Sequence, residues 1–407
     1  MNKHDFFAFL DAALTPYHAA DAANRFLAEK GFTALDPNAD WSLTPGGRYL
    51  IDFNDGTIFA FVMPQNAPKG VHIIGAHTDS PALRVKPLPT LNREGMQLLN
   101  IEVYGGPLLD TWFDRPLAVA GLAYSKGSDW AHPVRHVITL AETVTIPSLA
   151  IHMKRDSGDI NPQKELLVLW GSADAPSFEE RVAAAAGIVT DALLSHELYL
   201  VSAEPAASIG AESTLYQASR IDNLANTHAA LSALADCAPT DHIALFSGHQ
   251  HEEIGSRTRG GAAAPRLKNL LTRLGIDDWS EDAIILSCDQ AHAVHPNYPE
   301  KADPALRPRL GKGPVLKLSA SHSYATTPRG EAMLRSLCAA HDIPLQTFCN
   351  RADMRGGSTI GPIAETATGI EAIDLGAPML AMHSIRELAD LNDQQQMEAV
   401  MTAFLNA

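Results

Sequence analysis

The sequence is poor in cysteine and in positive charge, and both shortages exclude classes of protein. Its four cysteines form no C-x-x-C pair, so we expect neither a disulfide framework nor a thiolate zinc site, and we expect a reducing, cytoplasmic location. The 31 basic residues are outnumbered by 47 acidic ones, which gives a net charge of −16 and argues against nucleic acid or an anionic membrane as a partner. Apolar runs such as 182–189 are too short to span a bilayer.

The pattern along the chain predicts an α/β fold that is interrupted by a β-rich module. A chain of 407 residues is longer than one compact core usually supports. Strands alternating with helices after residue 197 predict a mixed sheet covered on both faces. The stretch 88–196 instead consists of short β-like segments separated by Gly, Pro and Asp turns. We therefore expect a main domain formed by residues 1–87 and 197–407, with a β-rich domain inserted at 88–196.

Two adjacent carboxylates, Glu252 and Glu253, follow the apolar run 242–246. In a two-metal peptidase one such glutamate can bind metal while the other accepts a proton from water. The alternative is a surface pair at the start of a helix, where acidic side chains suit the helix dipole. The pair by itself favours that alternative, so a catalytic interpretation needs support from other positions.

That support comes from residues that follow four predicted strands. The strands are 71–76, 242–246, 283–288 and 379–382, and they run into His77, into Glu252 and Glu253, into Asp289 and into His383. Ligands of α/β sheets bind at the carboxyl ends of the strands, where short loops bring distant positions together. The repetition therefore predicts a cluster of metal-binding side chains at one edge of the sheet.

Asp222 is a fifth candidate ligand, although its place at the head of a helix is equally well explained by N-capping. With His77, Glu253, Asp289 and His383 it gives two imidazoles, three carboxylates and no thiolate. This donor set suits two divalent ions about 3.5–4 Å apart that share one carboxylate. We expect Zn²⁺, with Co²⁺ or Mn²⁺ as alternatives.

Asp79 lies two positions after His77, and an extended strand would place both side chains on one face. A carboxylate there can accept the proton of the imidazole nitrogen that does not bind metal, and so fix the tautomer of His77. We therefore expect Asp79 to assist the site without binding metal itself.

Seven ordered motifs between about residues 70 and 390 resemble the aspartyl aminopeptidase family of zinc metallopeptidases. They are HTDSPALRVK (77–86), YGG (104–106), WFDR (112–115), RIDN (220–223), HEEIGS (251–256), DQAHAVHPNY (289–298) and MHSIRE (382–387). The resemblance implies a zinc-peptidase-type mixed-sheet sandwich with an inserted β-rich domain that makes subunit contacts. It also implies a homo-oligomer, a dodecamer that encloses its active sites.

The resemblance also assigns roles to individual residues. Asp222 falls at the bridging carboxylate, His77 and Asp289 complete one metal site, and Glu253 and His383 complete the other. Glu252 falls at the general base.

Three further positions match family residues that act on the substrate. Lys317 and Tyr324 match positions that line a pocket for an acidic side chain. From the sequence alone, Lys317 is equally compatible with an exposed strand lysine. His152 matches a histidine that reaches the active site of a neighbouring subunit, which implies that activity depends on assembly.

These expectations describe a two-metal aminopeptidase that removes an N-terminal Asp or Glu from short peptides with a free N-terminus. Two alternatives keep the same centre, a broad-specificity aminopeptidase and an amidohydrolase. A non-catalytic scaffold of the same fold is the third alternative, but such a protein would have lost the base or the bridge, and Glu252 and Asp222 are both present.

Overall fold

The computed structural model describes residues 1–154, 158–276, 282–354 and 356–407. Its helices, in chain order, are α1 (Lys3–Ala12), α2 (Pro16–Glu29), α3 (Pro162–Glu165), α4 (Phe178–Ala185), α5 (Ile221–Asp236), α6 (Arg266–Arg273), α7 (Pro328–Ala340), α8 (Ile360–Thr368) and α9 (Leu391–Asn406). Its strands are β1 (Thr33–Ala34), β2 (Arg48–Asp52), β3 (Ile58–Val62), β4 (Gly70–His77), β5 (Ala82–Arg93), β6 (Met96–Tyr104), β7 (Leu117–Ser125), β8 (Val134–Val144), β9 (Val168–Ser172), β10 (Leu193–Ser202), β11 (Ala207–Ile209), β12 (Leu215–Ala218), β13 (His242–His249), β14 (Ala283–Cys288), β15 (Ala291–His292), β16 (Val315–Lys317), β17 (Gln346–Phe348), β18 (Ala372–Gly376), β19 (Pro378–Leu380) and β20 (Glu387–Asp390). Among the helices of these described ranges, none is both long and apolar enough to cross a bilayer.

The chain divides into two compact units. The first unit comprises Met1–Asp79, Ala206–Met382 and Glu387–Ala407, and the second comprises Ser80–Pro205 and His383–Arg386. The sequence places the inserted domain at 88–196, so the second unit extends further at both ends and includes one short segment from late in the chain.

The first unit is built on a nine-stranded mixed sheet with the order β1-β2-β3-β13-β4-β14-β18-β16-β17. The central strands β13, β4, β14 and β18 run parallel to one another. Their sequences are almost continuously apolar, as expected for strands that are buried on both faces. This arrangement confirms the mixed α/β class that the sequence predicts.

The register of the central strands brings their carboxyl ends together. On β13, His249 pairs with His77 at the end of β4. On the other side of β4, Ser287 of β14 pairs with Gly75, so Asp289 emerges close to the end of β4. The ends of the three strands therefore lie side by side, and their following residues reach one place.

Helices cover both faces of this sheet. On one face, α1, α2, α5 and α9 contribute to a large apolar core that includes Phe6, Leu231 and Phe246. On the other face, α6 and α8 pack over a second core that includes Phe61 and Leu270. Burial on both sides fixes the positions of the strand ends and hence of the side chains that follow them.

The prediction of 379–382 as the last strand of the main sheet is wrong. Strand β19 spans Pro378–Leu380 and belongs to a separate five-stranded sheet of the first unit, in the order β11-β12-β20-β19-β15. Strand β20 follows it and pairs with it in antiparallel fashion. A short apolar run predicts a strand but carries no information about which sheet it joins.

The second unit contains a six-stranded sheet with the order β8-β7-β10-β5-β6-β9, and its paired strands are antiparallel. The sequence predicts that the main domain resumes at residue 197 and so assigns 198–201 to it, but the structure places these residues in the second unit. These residues belong to β10, which pairs with β7 over its whole length. The long pairing with β7 determines which sheet β10 joins. The local sequence pattern does not reveal this pairing.

Candidate metal centre

His77 lies at the centre of a group of buried acidic side chains in the first unit. Its Nε2 atom is 3.3 Å from Oδ1 of Asp222 and 3.3 Å from Oδ1 of Asp289. All three side chains are buried, and their potential ligand atoms lie within 4.8 Å of one another. The structure therefore brings together three of the five residues that the sequence predicts as ligands, and a fourth, Glu253, offers a ligand atom within 4.8 Å of one from His77.

Main-chain contacts hold these three residues in place. The N–H of Asp222 donates to Oε2 of Glu387 at 3.0 Å, and the hydroxyl of Thr227 donates to the carbonyl of His77 at 3.0 Å. The side chain of Asn223 donates to the carbonyl of Cys288, the residue before Asp289, at 2.7 Å. Residues of α5 thus tie the ends of β4 and β14 to Asp222.

The acidic surroundings of His77 create a potential that favours positive charge. Burial alone would lower the pKa of His77, but Asp222, Asp289 and Asp79 raise it well above its ordinary value. The same carboxylates would attract a divalent cation and stabilise it at this place.

Asp79 contacts both His77 and the glutamate pair. The main-chain oxygen of Asp79 is 3.0 Å from Nδ1 of His77, whereas its Oδ1 atom is 3.5 Å from the same nitrogen. Its two carboxylate oxygens accept the N–H groups of Glu252 and Glu253, each at 3.1 Å. The main chain of Asp79 thus orients the imidazole, while its side chain anchors the turn that carries the two glutamates.

Glu252 and Glu253 lie in a single 3₁₀ turn, Glu252–Ile254, directly after β13. Gly255 closes the turn with a φ of +94°, a conformation that favours glycine, and its N–H donates to the carbonyl of Glu252 at 2.8 Å. Both glutamates are half-buried, and they offer ligand atoms within 4.8 Å of one from His77. This placement differs from the exposed pair at the start of a helix that the sequence also allowed.

The surroundings of Glu252 favour its protonated form in the absence of a cation. Burial raises the pKa of Glu252 to about 8, against the lowering effect of His77, and the charges of Asp289, Asp79 and Asp222 add to the rise. Positive charge bound at the ligand group would lower this pKa again.

The chemistry of the donor set fits zinc. It combines an imidazole with carboxylates, which are ligands that Zn²⁺ accepts. Cys288 adjoins Asp289 in the chain, but its thiol is in none of the groups of potential ligand atoms found among the described residues. Burial raises the pKa of this thiol well above its ordinary value. The carboxylates around His77 outnumber the nearby cations, and buried carboxylates either take up protons or bind a compensating cation.

Lys317 lies beside this group, on β16. Its side chain is 3% exposed, and its Nζ atom is 3.4 Å from Oδ2 of Asp289. Burial alone would lower the pKa of Lys317, but Asp289 raises it above its ordinary value, so the lysine is charged. The alternative of an exposed strand lysine is therefore wrong.

The ring of Tyr324 lies over Lys317, with its centroid 5.4 Å from Nζ. Tyr324 is buried, and its ring packs against that of Phe348 at 6.2 Å between centroids. The structure thus brings together the two residues that the sequence assigns to a pocket for an acidic side chain.

Two predicted site residues belong to the second unit. His383 opens the segment His383–Arg386, where its Nδ1 atom is 3.0 Å from the carbonyl oxygen of Gly106. His152 lies in an exposed turn, flanked by the exposed side chains of Ile151 and Met153. Their predicted roles, as a metal ligand and as a residue that acts on a neighbouring subunit, stay predictions.

Two buried carboxylates of the first unit, Asp374 and Glu387, are not among the site residues predicted from the sequence. Glu387 lies within the MHSIRE motif, but its contact with Asp222 joins residues far apart in the sequence and is visible only in the folded structure. Asp374 lies on β18, in the run Ala372–Gly376, and a charged residue inside an apolar strand is a signal that could have identified it.

The chain matches the family model described as aminopeptidase I zinc metalloprotease (M18) over residues 9–405. A probable M18 family aminopeptidase 2 of Stutzerimonas stutzeri (strain A1501) is 39% identical over 424 aligned residues, which cover 98% of this chain and 96% of the relative. A probable M18 family aminopeptidase 2 of Clostridium novyi (strain NT) is 38% identical over 420 residues, covering 98% of this chain and 97% of the relative.

Solved structures show the same fold. Ape4, in its complex with Nbr1, has a TM-score of 0.93 at 30% identity, with 99% of this chain and 85% of the other covered. The prApe1 crystal structure has a TM-score of 0.91 at 26% identity and covers 98% of this chain and 93% of the other. The S. cerevisiae mApe1 dodecamer has a TM-score of 0.86 at 25% identity, with 98% and 95% covered.

Proposed function

Because the chain belongs to the M18 family of zinc aminopeptidases, we propose that it removes an acidic residue, Asp or Glu, from the N-terminus of short peptides. The observation that carries the proposal is the charged, buried Lys317 next to the acidic group around His77. The carboxylates around His77 favour a bound cation that activates the peptide bond. The positive charge of Lys317 favours a carboxylate of the substrate.

Five residues of this chain are proposed to hold two divalent ions. His77 and Asp289 would hold one ion, Glu253 and His383 would hold the other, and Asp222 would contribute to both sites. The distances of 3.3 Å from His77 to Asp222 and to Asp289 support the first of these sites. When bound, zinc polarises the scissile carbonyl and lowers the pKa of water.

Glu252 is proposed as the general base. Its carboxylate accepts a proton from the attacking water and later donates that proton to the leaving amine. Asp79 supports this role because it accepts the N–H groups of Glu252 and Glu253, which fixes the turn relative to His77. The base is thereby held in place before the substrate arrives.

Lys317 is proposed to select the N-terminal residue. Its charge is desolvated, so a substrate carboxylate that reaches it gains a charge-assisted hydrogen bond. A substrate with a neutral N-terminal side chain gains no such bond, because Lys317 then keeps Asp289 as its nearby acidic partner. Acidic substrates are therefore preferred over neutral ones without any steric block.

The test is a panel of aminoacyl-p-nitroanilides assayed on the wild-type protein and on Lys317→Met. We expect aspartyl and glutamyl substrates to exceed leucyl and alanyl substrates in kcat/KM. We expect Lys317→Met to lower kcat/KM for the aspartyl substrate by roughly 100-fold, because one partner of a buried charge pair is lost. The leucyl substrate should change much less.

Lys301→Met is the matched control, since Lys301 is an exposed lysine of the same unit. It should leave the whole panel unchanged. Equal turnover of leucyl and aspartyl substrates by the wild-type protein would show a broad-specificity aminopeptidase. Turnover of acyl amides without a free amine would show an amidohydrolase.

The active form is proposed to be a cytoplasmic homo-oligomer. The structurally similar mApe1 of S. cerevisiae is a dodecamer, which supports the same assembly here. Free thiols at all four cysteines are compatible with a reducing compartment.

A further inference from the structure

Asp374 is a fully buried carboxylate that the proposed reaction does not use. It lies on β18 with none of its surface exposed, and it pairs in register with Ser287 of β14. An ionisable side chain in such a position is stable only when hydrogen bonds replace the lost water. The donors that supply these bonds come from three separate parts of the first unit.

The two carboxylate oxygens of Asp374 accept three short hydrogen bonds. Oδ1 accepts the hydroxyls of Ser287 at 2.7 Å and Thr359 at 2.6 Å, and Oδ2 accepts the N–H of Ala325 at 2.6 Å. The N–H of Asp374 donates to the hydroxyl of Thr326 at 2.8 Å. One residue thus connects a strand end, the segment before α8 and the segment that contains Ala325.

Helix α8 approaches the same carboxylate. A Cβ atom added at Gly361, in the first turn of α8, would lie 2.5 Å from Oδ2 of Asp374. This close approach requires glycine, and it places the carboxylate at the helix end whose dipole favours negative charge. The contact fixes α8 and the Thr359 segment relative to β18.

Ala325 directly follows Tyr324, so the bond that its N–H donates to Asp374 constrains the residue next to the ring over Lys317. A second contact supports this segment, because the hydroxyl of Ser358 donates to the carbonyl of Ser323 at 3.2 Å. Hydrogen bonds therefore hold the main chain on both sides of Tyr324 against neighbouring segments. Of the two bonds, the one to Asp374 is fully buried.

We infer that Asp374 is a positioning residue that holds Tyr324 over Lys317 and thereby sets which N-terminal side chain the pocket accepts. The inference rests on the proposed function, in which Lys317 and Tyr324 form that pocket. Without Asp374 the N–H of Ala325 loses a buried acceptor, and such a group moves toward another partner or toward water. The ring of Tyr324 then no longer has a fixed place above Lys317.

The test is a double-mutant cycle of Asp374→Ala and Tyr324→Ala, with kcat and KM measured on aspartyl and leucyl p-nitroanilides. We expect each single variant to change the aspartyl-to-leucyl ratio of kcat/KM by about tenfold, mainly through KM of the aspartyl substrate. The double variant should change the ratio no further than Tyr324→Ala alone, because Asp374 acts through Tyr324.

Asp374→Asn is the conservative variant and should restore the wild-type ratio. Its Oδ1 can accept the N–H of Ala325, and its Nδ2 can donate to the hydroxyls of Ser287 and Thr359, which can rotate. Thr359→Val is the matched control, because it removes one hydroxyl from Asp374 and leaves the Ala325 bond intact. It should leave the ratio unchanged.

A purely structural role for Asp374 would lower kcat/KM for both substrates by the same factor, and additive effects in the cycle would show independent action. Either result would overturn the inference. If Asp374→Ala does not fold, Gly361→Ala replaces it in the cycle, because its new methyl group displaces the same carboxylate. A wild-type protein without acidic preference would refute the proposed substrate alone, since the cycle still reports whether Asp374 acts through Tyr324.

Discussion

Three acidic side chains, Asp79, Glu252 and Glu253, meet at one turn. The arrangement persists because Asp79 accepts the N–H groups of both glutamates, so that its charge is directed at the main chain. The glutamate side chains offer ligand atoms within 4.8 Å of one from His77. Sequence order alone does not reveal this division, since Asp79 is 173 residues from Glu252.

At this scale we predict that Glu252→Gln keeps its metal and loses turnover. An amide has nearly the shape of the carboxylate but cannot accept the proton, so kcat should fall by about 10³-fold, within the usual range for general acid–base catalysis. Steady-state kinetics and metal content by mass spectrometry measure the two effects.

Glu212→Gln serves as the control, because Glu212 is an exposed glutamate of the same unit. It should match the wild-type protein in both measurements. A Glu252→Gln variant that stays active would refute the assignment of the base, and one that loses its metal would make Glu252 a ligand.

At the scale of whole elements, the apolar strands β4, β13 and β14 and the residues that follow them could be predicted from sequence. Continuous burial on both faces produces an apolar run, and the polar residue after the run is conspicuous. The partners of short strands could not be predicted. Strand β18 and its Asp374 were missed, and β10 and β19 were assigned to the wrong sheet, because pairing depends on residues far away in the chain.

Helix α5 carries a buried histidine that makes stability depend on pH. His228 packs among the rings of Phe6, Phe9 and Phe26, with centroids 5.2, 5.3 and 6.1 Å away. Burial lowers the pKa of His228 to about 4, and the N-terminal amine adds to the effect while Asp5 opposes it. The unfolded chain therefore takes up a proton near pH 6.5, and the folded chain does so only near pH 4.

We predict that the contribution of His228 to stability is fully present above pH 6.5 and is lost as the pH falls toward 4. The loss should reach roughly 3 kcal/mol and then level off. His228→Leu should remove this part of the pH dependence, because leucine fills a similar volume and binds no proton. Urea unfolding of both proteins between pH 7 and 4 measures the difference.

His341→Leu controls for the removal of a histidine, since His341 is exposed at the end of α7. Its unfolding midpoint should follow the wild-type protein across the whole pH range. If His228→Leu loses stability on acidification as steeply as the wild-type protein, His228 is not the group that titrates.

At the scale of the whole molecule, the second unit presents an unusual surface around His152. The turn that contains it exposes Ile151 and Met153, at 77% and 65% of their surface. The family model covers almost the whole chain, and dodecameric mApe1 has the same fold. A role for His152 in a neighbouring subunit would give these apolar side chains a partner.

We predict that two inactive variants restore each other when their subunits are mixed. His152→Ala subunits keep Glu252, and Glu252→Gln subunits keep His152. After dissociation and joint reassembly, about a quarter of the sites in an equal mixture would combine both residues, since the interface repeats around the assembly. Activity on an aspartyl substrate measures the recovery.

The matched control mixes Glu252→Gln with Lys317→Met. Both residues are proposed to act within one chain, so no mixed assembly contains a complete site on either kind of subunit. Activity should not return in this mixture. Failure of the first mixture to recover would show that His152 does not act across subunits.

The parallel pairing of β4 between β13 and β14 has a consequence for the time course of synthesis. Asp289 follows His77 by 212 residues, so at ordinary rates of translation the ribosome needs roughly 10–40 s to deliver it. All six strands of the second unit's sheet are made during that interval. His77 and Asp289, two of the proposed metal ligands, can therefore meet only after more than two thirds of the chain has been made.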